Sequence, residues 1–183
     1  MLPDRCDVTP EPCCGDLYAI ADHLLTSVFD ALKECMGDQG CSMQIVAYVT
    51  AGTGDDGVRD ALTVEFDGIV PTTRSVQGGN GLLVSRATYT VRLRESGWPI
   101  VRREDGTVVV PPPDEQNHAA KYALARGELV YRWLLGMQAQ KQIVPTSVMG
   151  CPATQVRDFR PMRPSGGVIG WTVTVDVDLP WGF

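Results

Sequence analysis

The chain has two histidines, six cysteines with no Cys-x-x-Cys pair, and no long apolar run. Each shortage removes a class of protein. Structural zinc sites draw on closely spaced Cys or His pairs, so a metal-binding module is disfavoured here. The cysteines (Cys6, Cys13, Cys14, Cys35, Cys41, Cys151) read as free thiols, because 183 residues suffice for a hydrophobic core without staples; a reducing cytosol is the expected place of synthesis. No stretch approaches the roughly 18 continuous apolar residues of a membrane helix, and no basic-then-apolar leader opens the sequence, so the expectation is a soluble protein without membrane contact. A basic excess is missing too. With 16 Lys and Arg against 22 Asp and Glu, the net charge of −6 argues against a sequence-independent DNA clamp, which works by neutralising phosphates. An acidic surface still lets a duplex slide past without sticking. Nucleotide loops are also absent: the glycines of Ala51–Gly57 lack the closing Gly-Lys-Ser/Thr of a phosphate loop and the strand, Gly-x-Gly-x-x-Gly, helix order of a dinucleotide site.

What is present is strong strand patterning. Gly170–Leu179 alternates without a break, with Trp171, Val173, Val175, Val177 and Leu179 on one face and Thr172, Thr174, Asp176 and Asp178 on the other. This is a strand with one face on a core and an acidic face toward water or a partner. Ala87, Tyr89, Val91 and Leu93 alternate with Arg86, Thr88, Thr90, Arg92 and Arg94, which makes a basic complement. The two charged faces pair across one sheet if the strands are neighbours, or across a subunit interface if they are not. Shorter strands are expected at Gln44–Thr50, Leu62–Asp67 (broken near Gly68 and Pro71) and Ala153–Arg160, and a projecting hairpin at Trp98–Val110 around Glu104-Asp105-Gly106.

Two helices complete the pattern. Leu17, Ile20, Ala21, Leu24, Val28, Ala31, Leu32 and Cys35 recur at helical spacing between an Asp16 cap and a Gly37 stop. The second helix starts after three prolines, Pro111–Pro113, with Asp114 as expected N-cap. Its broad apolar face is Ala120, Ala123, Leu124, Gly127, Val130, Tyr131, Leu134 and Met137, and a second stripe of Tyr122, Leu129 and Trp133 lies almost opposite. A helix apolar on both sides is sandwiched within its domain or shared with another subunit, and the second is favoured here. The fold class is α+β: an antiparallel sheet with two helices packed on one face, plus projecting hairpin and loops. Residues 1–15, rich in proline and cysteine, form an irregular arm before one domain spanning 16–183.

Candidate chemistry is thin. His23 and His118 sit on helices without a recognisable nucleophile motif, so solvated side chains are preferred to general bases. Cys13 and Cys14 precede a helix N-terminus, where a thiol pKa falls, and they alone support a small thiol enzyme as an alternative. Asp55-Asp56 and the Asp176/Asp178 pair lack a third oxygen ligand for Mg²⁺. Arg86, Arg92 and Arg94 lack the interleaved aromatics of a nucleic-acid face, so a salt-bridging role is preferred. No catalytic residue, cofactor or metal is assigned.

Several segments taken together resemble the tail terminator (tail completion) proteins of long-tailed, siphovirus-type bacteriophages, particularly those of actinobacteria. They are Tyr48-Val49-Thr50-Ala51-Gly52 with an acidic loop after it, Leu62-Thr63-Val64, Ile69-Val70-Pro71, Ala87–Arg94 and Gly166–Val173. The resemblance implies a structural virion protein of the tail and neck, made in the host bacterial cytoplasm. It would form a ring, a hexamer in that family, that caps the head-proximal end of the tail tube, stops its polymerisation and joins the tail to the head connector or stopper. DNA would pass through the lumen without specific binding. Candidate subunit contacts are Arg86, Arg92, Arg94, Asp176 and Asp178 on the charged strands, Tyr122, Leu129 and Trp133 on the second helix, and Trp181 and Phe183 in the aromatic tail. The resemblance implies tube or connector contacts at Arg74, Val76, Gln77, Trp98, Ile100, Arg102 and Arg103. The nearest alternative is another neck protein, a head–tail connector, stopper or minor tail protein.

Overall fold

Apolar residues at helical spacing carry the chain into α1 (Asp16–Met36), which buries Ile20, Ala21, Leu24, Val28, Ala31 and Leu32. Strands β1 (Val46–Ala51), β2 (Ala61–Arg74) and β3 (Leu82–Ser96) follow, then the short β4 (Val101–Arg102) and β5 (Val108–Val109). Helix α2 (Pro113–Ala139) leads into β6 (Ala153–Pro161) and β7 (Val168–Leu179). The computed structural model describes residues 16–36, 46–51, 60–74, 82–97, 101–148, 152–162 and 167–179. The 1–15 arm and the Gly52–Gly57 loop lie outside them.

The five long strands form one sheet in the order β1-β2-β3-β7-β6, and β4 and β5 pair as a separate hairpin. Both helices pack on one face of the sheet and touch each other, α1 over β1, β2 and β3, and α2 over β6 and β7. The core lies between these layers: Leu62 and Val64 of β2, Tyr89, Val91 and Leu93 of β3, and Trp171, Val173, Val175, Val177 and Leu179 of β7 meet Ile20, Leu24, Val28, Val130 and Leu134 from the helices. The architecture is α+β, as the strand and helix patterns predict.

Several details differ from the expectation. The sheet is mixed, because β1 runs parallel to β2, from Val46 opposite Ala61 to Ala51 opposite Phe66. Alternation specifies which side of a strand is buried and says nothing of its direction; the parallel register puts Ala47 and Val49 beside Leu62 and Val64, on the core side. Strand β2 does not break at Gly68 and Pro71. A bulge between Phe66 and Gly68 absorbs one residue, and the ladder with β3 resumes to Arg74 opposite Leu82. β1 ends opposite Phe66, so among the described residues Pro71 sits where β2 has a neighbour on one side only, and its missing N–H disturbs no second ladder there. The N-cap of α2 is Pro112, not Asp114. Pro113 takes a first-turn position whose φ it already satisfies, and Asp114 and Glu115 fall in the first turn, where the helix dipole favours negative charge.

Two close approaches fix the layers. A Cβ on Gly127 would lie 2.5 Å from the Phe159 ring and 2.7 Å from Trp171, so the absent side chain lets α2 settle onto β6 and β7. A Cβ on Gly170 would stand 2.0 Å from the Leu93 carbonyl oxygen, inside the β3–β7 ladder. Tyr89 donates its hydroxyl to the Leu17 carbonyl at 3.1 Å, and His23 donates from Nε2 to the Gln142 carbonyl at 2.8 Å, linking α1 to the sheet and to the segment after α2. Among the described residues no helix is long and apolar enough to cross a membrane.

Candidate interaction surfaces

The sheet face turned away from the helices carries the charged residues singled out in the sequence, and the order β3-β7 decides between their two possible pairings. Arg86 stands opposite Asp178 and grips it with two bonds, Nε to Oδ1 at 2.7 Å and Nη2 to Oδ2 at 3.1 Å. That bidentate geometry holds the guanidinium proton still more firmly than usual, its hydrogen bond to Asp178 being the main cause. Asp176 receives Arg157 of β6 at 3.0 Å, Arg86 at 3.9 Å and the Thr88 hydroxyl at 2.9 Å. Arg92 reaches Glu65 of β2 at 2.9 Å, and Thr90 donates to Asp67 at 2.7 Å.

Consequently the charges of Arg86, Arg92, Asp176 and Asp178 pair within their own chain, the first of the two arrangements that the sequence allows. Nor is the acidic face of β7 simply solvated: Asp176 is 2% exposed, because β7 is an inner strand and the stems of Arg86 and Arg157 lie over it. Arg94 is also buried and acts electrostatically on Glu65. Glu65 is fully buried on this face, and desolvation raises its pKa above the ordinary value against the opposing pull of Arg92. A second buried acid, missed in the sequence, lies on the helix side. Glu95 meets Arg126 of α2 at 2.8 Å, and burial again pushes the carboxyl upward, with Arg126 opposing. The strand alternation places Glu95 on the core side with Leu93; that polar interruption of an apolar face was the available signal.

The outward side of α2 carries Lys121, Glu128 and Arg132, and large apolar side chains are exposed along its two flanks. Tyr122, Leu124, Trp133 and Leu135 are all exposed, whereas Ala123, Gly127, Val130, Leu134 and Met137 form the buried line. Leu124 therefore leaves the broad face expected from the sequence, and Tyr131 is only half-buried at its margin, its hydroxyl donating to the Arg157 carbonyl at 3.3 Å. Leu129 packs partly against the core and, with Ala31, Glu34, Arg132 and Trp133, lines an open groove between the helices. His118 lies edge-on to Tyr122 with ring centres 4.6 Å apart. A further groove, almost wholly apolar, runs between α1 and the sheet, lined by Leu17, Tyr18, Ala21, Val49, Thr50 and Phe66.

The expected hairpin forms around a turn in which Arg103 donates to the Thr107 carbonyl at 2.9 Å, with Gly106 at φ 81°, a left-handed conformation suited to glycine. The backbone of Arg102 lies in β4 and that of Arg74 in β2, and Arg103 is exposed. Val76, Gln77, Trp98, Ile100, Trp181 and Phe183 lie outside the described residues, as do Cys13 and Cys14. Among the described residues no three His, Cys, Asp or Glu side chains gather as a metal site would require. No family model matches the chain, and no curated protein matches it.

Proposed function

We propose that this chain is a structural subunit of a long-tailed bacteriophage, forming a ring that caps the head-proximal end of the tail tube, stops tube polymerisation and joins the tail to the head connector. The observation that carries the reading is the division of its surface. The charged face of the sheet is occupied by its own ion pairs, while exposed apolar side chains on the flanks of α2 and a separate hairpin are left for contact. Unlike surfaces on one chain suit heterologous contacts, which close into rings when the rotation allows. The segments that carry the family resemblance fall on β1, β2, β3 and β7, so they describe one sheet. The net negative charge suits a lumen through which DNA slides.

The test is electron microscopy of particles assembled without this gene. Tails of uncontrolled length, unjoined to heads, are the expected result. Normal-length tails beside leaking heads would move the assignment to a connector or stopper, and intact virions would end the reading.

A further inference from the structure

The two edges of the sheet are built differently. The β6 edge carries Arg157, Asp158, Arg160 and Pro161 and a bulge between Val156 and Phe159, the features that keep an edge from pairing with another strand. The β1 edge, Val46-Ala47-Tyr48-Val49-Thr50-Ala51, has no charge, no proline and an unbroken register, and among the described residues β1 pairs with β2 alone. Val46 donates its N–H to the Asp60 carbonyl on the β2 side at 3.1 Å. Successive residues of a strand turn their polar backbone groups to opposite edges, so Ala47 and Val49 direct theirs outward.

A matching strand exists in the same chain. Among the described residues the hairpin β4–β5 forms a sheet of its own, and an isolated two-stranded hairpin is marginal in water. Val108 and Val110 are 52% and 55% exposed. Because Arg103 bonds to Thr107 across the turn and Val101 pairs with Val109, the backbone groups of Val108 and Val110 point away from β4. The outward groups thus recur two residues apart on both strands. Thr107–Val110 is uncharged like β1, and Pro111–Pro113, which have no N–H, end any ladder after Val110.

We infer that the β1 edge of one copy receives β5 of a second copy by strand addition, extending the sheet across the subunit boundary. Both halves of the contact lie on one chain, so the occupant is another copy, and edge-to-hairpin contact is head-to-tail, the geometry of a ring. The inference deepens the ring reading and shares with it only the requirement of self-association.

Val49→Pro and Val108→Pro each remove one outward N–H and leave the bonds within the chain in place. Circular dichroism and melting would confirm that both variants fold; Ala47→Pro and Val110→Lys serve if either does not. In sedimentation velocity the wild type is expected as a closed oligomer and each variant alone as a monomer. An equimolar mixture is expected to give a heterodimer and nothing larger, captured by cross-linking at and above the wild-type assembly concentration, since each variant keeps the half that the other lacks. A wild type that stays monomeric, variants that assemble like it, or a mixture without heterodimer would overturn the inference. An oligomer that survives both substitutions removes strand addition and leaves the terminator reading intact; normal tails without the gene remove the terminator reading and leave the contact.

Discussion

Glu65 and Glu95 are carboxylates buried against arginines. Burial raises both above the ordinary value of 4.5, Arg92 and Arg126 opposing. Between 4.5 and the raised values the folded chain therefore binds more protons than the unfolded chain. The resulting stabilisation is fully present below the window and lost as pH rises through the folded pKa values. Urea midpoints are expected to increase as the pH is lowered through the folded pKa values toward 4.5, and Glu65→Gln with Glu95→Gln should flatten that slope even though each substitution weakens an ion pair. An unchanged slope in the double variant would place the linkage elsewhere. These acids also show what a sequence conceals at this scale: alternation assigns Glu65 to the polar face, yet only the neighbouring strands reveal that the face is closed over it.

At the scale of elements, Gly170 lies inside the ladder between two inner strands, and Gly170→Ala sets a methyl against the Leu93 carbonyl. Backbone cannot rotate aside as a side chain does, so the cost should reach or exceed about 3 kcal/mol, lowering the melting temperature by about 6–12 °C; a change of a degree or two would mean that the ladder adjusts freely. Both helices, the hairpin and the apolar face of β7 were legible in the sequence because each rests on local periodicity or turn chemistry. The direction of β1, the continuation of β2 past Pro71 and the exposure of Leu124 were not, since each depends on which element lies alongside. The charged strands belong to the same class: their complementarity was visible in the residues, and the neighbour relation that turned it inward was not.

For the whole molecule, the exposed aromatic flank of α2, Tyr122 and Trp133, is the feature that a free monomer leaves unexplained. Trp133 is 46% exposed, so Trp133→Ala should cost the monomer about 1 kcal/mol or less while weakening assembly, measured as a shift of the oligomer–monomer transition to higher concentration. Assembly unaffected by this change would remove α2 from the subunit contact.

The strand order has a bearing on the time course of synthesis. The seventh strand, made after all the others described, lies between the third and sixth, so the middle of the sheet is laid down last. Until it arrives, β3 lacks one of its two neighbours, β6 lacks its only one, and α2 has no Trp171 to rest on. Partners 72–94 residues apart must then find each other at once, a requirement that slows folding by virtue of loop closure. A ribosome stalled before residue 168 would thus release no smaller version of this protein, only a sheet with its centre open.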